Sequence, residues 1–482
     1  MFDVIVIGGG PAGVTAALRT RELGASVALV ERDRLGGTCT NDGCVPTRVL
    51  ARAARLARDA RQFERYGLVG EQPQVDIRGV LNRAQQVVYS IHEKKQLLKT
   101  LDEAGIDVHT GSGAARFLDS NTITLDDGVQ LEAEKFILCV GGHARRLNFP
   151  GAEHTLTLSD IWELNELPRK VAIIGASATG CQLGSIFDDF GAQVWMLEVG
   201  DRILGLADPS ISSAIHRAFD DRGIVTITGI GGVERIEELS GTGKRLIYID
   251  GDSTEALDVD AVVLAVGWPG NIESLNLDAV GVNTERGYIL TDDYLRTTAG
   301  HIYAAGDITG RMGLVQRAGY DARIAAENAV LGDGMRYRHQ IVPHGGFTDP
   351  EYGSVGLTEE QARSREDVVV AEVSYENLDR AVIDGRTRGS CKLIVSRERH
   401  RILGAHVVGE QALEIIHLVA AGMAGDMWVE QLAELEIAYP TYTAIVGLAA
   451  RQIIRDLGVV PLAPQWRALG KSFSAEWERK DN

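Results

Sequence analysis

Val4-Ile5-Val6-Ile7-Gly8-Gly9-Gly10-Pro11-Ala12-Gly13 decides how this chain folds. Four β-branched apolar residues in a row predict a buried strand. The glycines after them predict a sharp turn into a helix that reaches Leu23 and stops at Gly24. A second strand, Val27 to Val30, then ends at the acid Glu31. The plan recurs far downstream. Val171-Ala172-Ile173-Ile174 leads into Gly175-Ala176-Ser177-Ala178-Thr179-Gly180, a helix reaches Phe190, Gly191 ends it, and Val194 to Leu197 closes at Glu198. Gly8 to Glu31 and Gly175 to Glu198 share one spacing, so both stretches read as β-α-β units.

Each residue type in these units has a mechanical role. Gly8 permits the turn, Gly10 lets a pyrophosphate reach the backbone, and Gly13 lets helix and strand pack closely. Pro11 and Ala12 open a helix whose N-terminus faces the anion. Glu31 can accept both hydroxyls of a ribose. A glycine turn with no ligand is the alternative, and the strand, helix and acid around this one favour the nucleotide. In the second unit Ser177 stands for the middle glycine and is small enough for the same approach. Ala178, Thr179 and Gly180 open its helix. Glu198 suits the 2′- and 3′-hydroxyls of adenosine and repels a 2′-phosphate, so NADH is expected over NADPH.

The 482 residues suit about three domains. The expected fold class is α/β: two Rossmann-like, three-layer dinucleotide-binding domains plus a C-terminal α+β domain. The expected division is 1–150 and 276–340 for the first nucleotide domain in two parts, 151–275 for the second, 341–465 for the last, and a tail over 466–482. Thr47 to Leu101 reads as helical, and short strands surround the turn at Asp126-Asp127-Gly128. A formal charge of -18 argues against nucleic acid and anionic membranes as partners. Met1-Phe2-Asp3 carries no basic leader and no apolar stretch is of spanning length, which suits a cytoplasmic protein. Five cysteines make no disulfide framework, so a close pair is expected to be catalytic or metal-binding.

That pair lies in Gly36-Gly37-Thr38-Cys39-Thr40-Asn41-Asp42-Gly43-Cys44-Val45-Pro46-Thr47. Pro46 is expected near a helix start, where the dipole lowers a thiolate pKa. The stretch resembles that of the pyridine nucleotide–disulfide oxidoreductases, the group of dihydrolipoyl dehydrogenase, glutathione reductase and mercuric reductase. The resemblance covers nearly the whole chain. Cys139-Val140-Gly141-Gly142 and Ala265-Val266-Gly267 look like the two domain-exit turns. Ile302-Tyr303-Ala304-Ala305-Gly306-Asp307 looks like the second flavin motif, and Phe347-Thr348-Asp349-Pro350-Glu351 like the start of the dimerisation domain.

The resemblance implies a homodimer with FAD and a nicotinamide cofactor and no metal. It implies that Gly37, Thr38, Ala115, Gly141, Asp307 and Val315 join the first turn at FAD, Asp307 on the ribityl hydroxyls. Gly267 and Gln182 would join the second turn at NAD. Hydride would pass from nicotinamide to flavin, with Cys44 against the flavin and Cys39 as the outer thiol that meets a disulfide or other small acceptor. Cys139, Cys181 and Cys391 match no redox motif and are expected to be packing residues.

Four positions depart from the family pattern. Its C-terminal His-Pro-Thr, with Glu five places after the His, supplies an acid–base dyad from the partner subunit. Here the stretch is Tyr439-Pro440-Thr441-Tyr442-Thr443-Ala444. A phenol with a pKa of about 10 is a poor base at neutral pH, and such groups contribute ~10²–10⁴-fold. Tyr439 could still serve as a weak acid, and both tyrosines could instead fill the dimer interface. The family's Lys after the second cysteine is Arg48, and its Glu partner is Gln182. An arginine beside a neutral amide favours negative charge on reduced flavin and would raise its potential. The leading expectation is disulfide reduction in the manner of dihydrolipoyl dehydrogenase. The others are a diaphorase passing electrons from flavin to quinones or metal ions, and a flavin-bound redox sensor. Mercury specificity is not expected, because the chain ends Glu478-Arg479-Lys480-Asp481-Asn482 without a cysteine pair. Transhydrogenases of this kind lack the second cysteine, present here as Cys44.

Overall fold

The apolar run forms the strand Phe2–Ile7, with Val4, Ile5, Val6 and Ile7 all buried. In this computed structural model, residues 1–241, 243–332, 334–338 and 341–459 are described. Phe2–Ile7 pairs in parallel with Val27–Glu31 on one side and Gln130–Leu138 on the other. Asp107–Thr110 extends the sheet beyond Val27–Glu31. The first half of Gln130–Leu138 carries an antiparallel extension, Thr122–Leu125 and then Ala115–Phe117. Ile302–Ala304 pairs in parallel with its second half, so the chain returns to the first sheet after the second unit. Helices Pro11–Glu22 and Val315–Leu331 pack together on one face of this sheet.

The second unit repeats the plan. Its parallel sheet runs Ala261–Leu264, Lys170–Ile174, Gln193–Glu198, Val225–Thr228. An antiparallel sheet of Gly232–Glu238, Lys244–Asp250 and Ser253–Val259 lies beside it and shares its apolar core. These layers bear out the expected α/β class. The expected helical run after Thr47 is three helices, Cys44–Ala60, Ile77–Lys95 and Leu97–Glu103, with a non-helical stretch over 67–76. The first begins at Cys44 and not at Pro46, because Gly43 already stands at its N-cap.

The chain divides into two compact units, residues 1–200 with 224–340 and residues 201–223 with 341 onward. By this division helix Pro209–Asp220 belongs with the C-terminal unit. That unit holds an antiparallel sheet in the order His344–Gly346, Tyr352–Gly356, Ile402–Val408, Ser390–Ser396, Val368–Ser374. Helices Ala412–Ala424 and Ala444–Asp456 share its core with the inner faces of Val368–Ser374, Ser390–Ser396 and Ile402–Val408. The predicted tail, 466–482, lies outside the described residues. Among the described residues no helix is long and apolar enough to cross a membrane.

A buried polar cluster ties helix Pro209–Asp220 to that sheet. Asp208 accepts from Ser210 N at 3.0 Å, Glu359 N at 2.9 Å and Lys392 Nζ at 3.0 Å. Lys392 Nζ also donates to Glu359 at 2.8 Å. Burial would raise the Asp208 carboxyl, but the Glu359 N–H, Ser210 and His406 hold it well below the usual carboxylate range. Removing one partner of a buried pair strands the other charge. Lys392→Met is therefore expected to cost ~3–5 kcal/mol, read by chemical denaturation. Because the Asp208 pKa is depressed, its contribution is complete above the unfolded value of about 4 and fades as pH falls below it. A loss within error of zero would show that the sheet holds the helix without this cluster.

Candidate active site

Gly8 and Gly175 turn their strands into helices at φ +105° and +96°, a region that favours glycine. The two turns are built alike. Gly8 N donates to Val30 O and Gly175 N to Leu197 O, each at 2.7 Å. Glu31 accepts from Gly9 N at 2.7 Å and Asp33 N at 2.9 Å. Glu198 accepts from Ala176 N at 2.7 Å and Gly200 N at 2.8 Å. Each acid side chain is thus held at the rim of its turn. The helices Pro11–Glu22 and Ala178–Asp189 begin at Gly10 and Ser177, neither with a side-chain cap. Their first N–H groups are left for a ligand.

Gly37 packs on the first turn. A Cβ at Gly37 would lie 2.8 Å from Gly10 Cα, so these two predicted flavin residues touch through backbone. Gly306 stands at φ +80°, and a Cβ there would lie 3.2 Å from the Ala12 Cβ and 3.3 Å from the Ala318 Cβ. The Asp307 carboxyl beside it bonds its own backbone N–H, and burial pushes it above the usual carboxylate range. Val315 opens helix Val315–Leu331, whose N-cap, Leu314, is again uncapped by a side chain. Ala115 is buried in its short strand, and Gly141 turns at φ +65°. The set comprises a glycine-lined phosphate cradle, an acid for a ribose and a buried acid for a polyol. That fits FAD.

The redox segment is the short helix Gly37–Asn41, followed by Asp42, Gly43 and helix Cys44–Ala60. Cys39 and Cys44 are free thiols that hydrogen-bond each other, Cys39 half-buried and Cys44 exposed. The Cys39 thiol is pushed up by its interaction with Cys44, by burial and by the charge of Cys44. The Cys44 pKa falls to about 7 through Cys39 and its own backbone N–H at the helix start, against burial. The anion therefore belongs on Cys44.

Contacts from far along the chain hold this segment. Lys95 Nζ donates to Thr40 Oγ1 at 3.2 Å, and His92 Nε2 meets Asn41 Oδ1 at 2.7 Å. Ser159 Oγ and Trp162 Nε1 each donate to Asp42 at 2.9 Å. None of these four was found by reading the sequence. The nearest, His92, stands about fifty residues from the cysteines, and no motif marks it. Arg48 lies one turn beyond Cys44, and its helix packs on Ala178–Asp189, which carries Gln182. Arg58 and Arg61 pin those helices together through Asp189. Gly267, on the second exit turn, stands at φ +125° with the Arg145 guanidinium against it.

In the C-terminal unit Tyr439 is exposed, and its hydroxyl donates to Asp379 Oδ2 at 2.6 Å, which raises the phenol pKa. Tyr442 is buried in that unit's own core, with its hydroxyl on Asp384 Oδ2 at 2.9 Å. Tyr442 is therefore a core residue, and the alternative that placed it in the dimer interface does not hold. Ala444 opens helix Ala444–Asp456. Cys139, Cys181 and Cys391 are buried, as expected of packing residues, and burial pushes the Cys391 thiol up to about 12.

Two nucleotide cradles and a thiol pair beside one of them define a flavin- and nicotinamide-dependent oxidoreductase. The family model for pyridine nucleotide-disulphide oxidoreductases matches residues 2–322, and the model of its dimerisation domain matches 342–450. The chain belongs to this family, whose members use FAD and NAD(P)H. It is 32% identical over 460 residues to a mercuric reductase of Lysinibacillus sphaericus, covering 95% of this chain and 83% of the relative. It is 32% identical over 459 residues to a dihydrolipoyl dehydrogenase of Bacillus subtilis, covering 94% and 96%. Among solved structures it resembles the HOCl-induced flavoprotein disulfide reductase RclA of Escherichia coli. The TM-score is 0.81 at 28% identity, over 93% of this chain and 99% of that one. A Cu(II) complex of RclA matches equally well, at a TM-score of 0.82.

Proposed function

We propose that the chain takes electrons from NADH through FAD to the Cys39–Cys44 pair, and that the pair reduces a small disulfide or similar acceptor. The observation that carries this reading is the pair itself: two hydrogen-bonded thiols at a helix start, with the anion on Cys44, beside the Gly10–Gly37 cradle. Bound FAD supplies the exchange between a nicotinamide hydride and a dithiol. The residues of the chain do the rest. Gly10, Pro11, Ala12, Gly13, Glu31 and Asp307 hold one nucleotide, and Gly175, Ser177, Gly180 and Glu198 the other. Arg48 supplies positive charge one turn from Cys44, with Gln182 as a neutral neighbour in place of an acid. The protein works as a cytoplasmic homodimer through residues 342–450. The test is anaerobic reduction by NADH, with lipoamide, glutathione disulfide, menadione and metal ions then offered in turn.

A second reading is direct transfer from flavin to a quinone or metal ion. Tyr439 favours it, since a phenol bonded to Asp379 is a poor base for a thiol. The mercuric reductases and the Cu(II) complex of RclA among the similar proteins point the same way.

Coenzyme choice rests on Glu198. Its carboxylate is held at the turn, where a 2′-phosphate would meet like charge at a cost of several kcal/mol. NADH is expected to exceed NADPH in kcat/KM by ~10²-fold or more, and Glu198→Ala to erase most of that gap. Steady-state kinetics with both coenzymes decide it, and a preference for NADPH in the unmodified enzyme rejects the assignment.

A further inference from the structure

We propose that the two exit turns and a hairpin beside them form an anion site, outside the two glycine turns, that takes a phosphorylated small molecule. Its walls include His143, Arg145, Arg146, Pro269, Arg286 and Gly287, around a cavity of about 590 Å³. That volume falls within the ~300–1,000 Å³ of small-molecule sites. Three arginines meet there in a chain whose formal charge is -18. The site goes beyond the electron route and does not depend on it.

Backbone bonds make the cavity rigid. The segment from Gly142 runs antiparallel to the one from Gly267. Arg145 N donates to Gly267 O and His143 N to Pro269 O, each at 3.0 Å, and Gly142 bridges Gly270. Alternation along an extended segment puts His143 and Arg145 on one face. His143 is held by its Nδ1 on Asn271 Oδ1 at 2.8 Å. The hairpin of Thr284–Glu285 and Tyr288–Ile289 brings its turn, Arg286-Gly287, to the same cavity. It is pinned there: Gly270 N donates to Gly287 O and the Tyr288 hydroxyl to Trp268 O, each at 3.0 Å.

The three arginines differ in what they hold. Arg146 is occupied by the chain itself, donating to the two oxygens of Asp160 at 2.7 and 3.0 Å. Among the described residues, the Arg145 and Arg286 guanidiniums have no hydrogen-bond or ion-pair partner. Two guanidiniums without a counter-ion at one rigid cavity focus positive potential into it. Their forks match the oxygens of a phosphoryl group, which offers three acceptors where a carboxylate offers two. Arg286 gives a second sign of the site. It stands at φ +51°, a conformation that glycine or asparagine adopts with less strain. The turn itself is not served by arginine, so the guanidinium is what this position provides.

The test titrates inorganic pyrophosphate into the holoenzyme by calorimetry, at fixed ionic strength and without divalent metal. A Cβ at Gly267 would lie 3.4 Å from Arg145 Nε, so the cavity adjoins the turn assigned to NAD. Saturating NAD⁺ is therefore present throughout, to fill the second cradle. Saturable binding is expected in the parent. Arg286→Asn is expected to weaken it more than about tenfold through the lost charge-assisted bonds. The same substitution creates the Asn-Gly pair that two-residue hairpins prefer, so the melting temperature is expected to hold or rise. Arg145→Gln, away from the hairpin, is expected to weaken pyrophosphate by a similar factor. No saturable binding in the parent, or parental affinity in either variant, would overturn the proposal. Bleaching of the flavin by NADH, followed on the same proteins, reports the electron route separately.

Discussion

Cys44→Ser is expected to abolish reduction of disulfide acceptors, on the order of 10³-fold or more, while NADH still bleaches the bound flavin. Turnover of a disulfide requires the enzyme to close its own, and a hydroxyl cannot replace the sulfur that resolves the mixed disulfide. The substitution is nearly isosteric, and Cys44 is exposed, so the helix it begins should persist. The nucleotide cradles are formed by other residues and are untouched. Stopped-flow absorbance measures the first half of the cycle, and steady-state assays with lipoamide and glutathione disulfide measure the second. Disulfide turnover near the parent rate would remove the pair from the mechanism. Retained menadione or metal-ion reduction in the variant would favour the diaphorase reading.

The second large effect separates the two nucleotide sites. Gly13→Ala should yield protein depleted of flavin, whereas Gly180→Ala should keep flavin and lose reduction by NADH. A Cβ at Gly13 would lie 1.7 Å from Gly8 O, and one at Gly180 would lie 1.9 Å from Gly175 O. Both distances are far inside contact, and the obstruction is backbone, which cannot rotate away. The helix must slide off its strand, and its N-terminal N–H groups move with it. Overpacking costs ~1–3 kcal/mol, which alone is about ten- to a hundredfold in affinity. A displacement of about 1 Å at a reacting nucleotide can cost ~10²-fold in rate. The flavin-to-protein absorbance ratio reads the first variant, and the NADH-dependent bleaching rate reads the second. Full flavin content in Gly13→Ala would mean that the first turn does not hold FAD.

The two β-α-β units were legible because their signal is local. A strand, a glycine turn, a helix and an acid fall within about thirty residues, and the sterics of a close helix–strand contact leave few residue types able to serve. Cys39 and Cys44 were legible for the same reason: five residues of chain keep the sulfurs within reach of one another. The departures at Arg48, Gln182, Tyr439 and Ala444 were also read from the sequence, because a motif states what is expected at each place.

What the sequence did not disclose depends on residues far apart along the chain. Lys95, His92, Ser159 and Trp162 reach the redox segment only once helices and loops have packed, and none has a local pattern to mark it. The same holds for the fate of Tyr442, a core side chain on Asp384, and of Tyr439, exposed on Asp379. By itself the sequence determined the nucleotide units, the thiol pair and the absent base, since each is written in spacing and residue type. Only the tertiary structure decided which side chains from far along the chain hold that pair, among them Lys95 on Thr40, the residue next to Cys39. Those are matters of distance and burial, and an electrostatic interaction depends on separation in space, however far apart the residues lie in the chain.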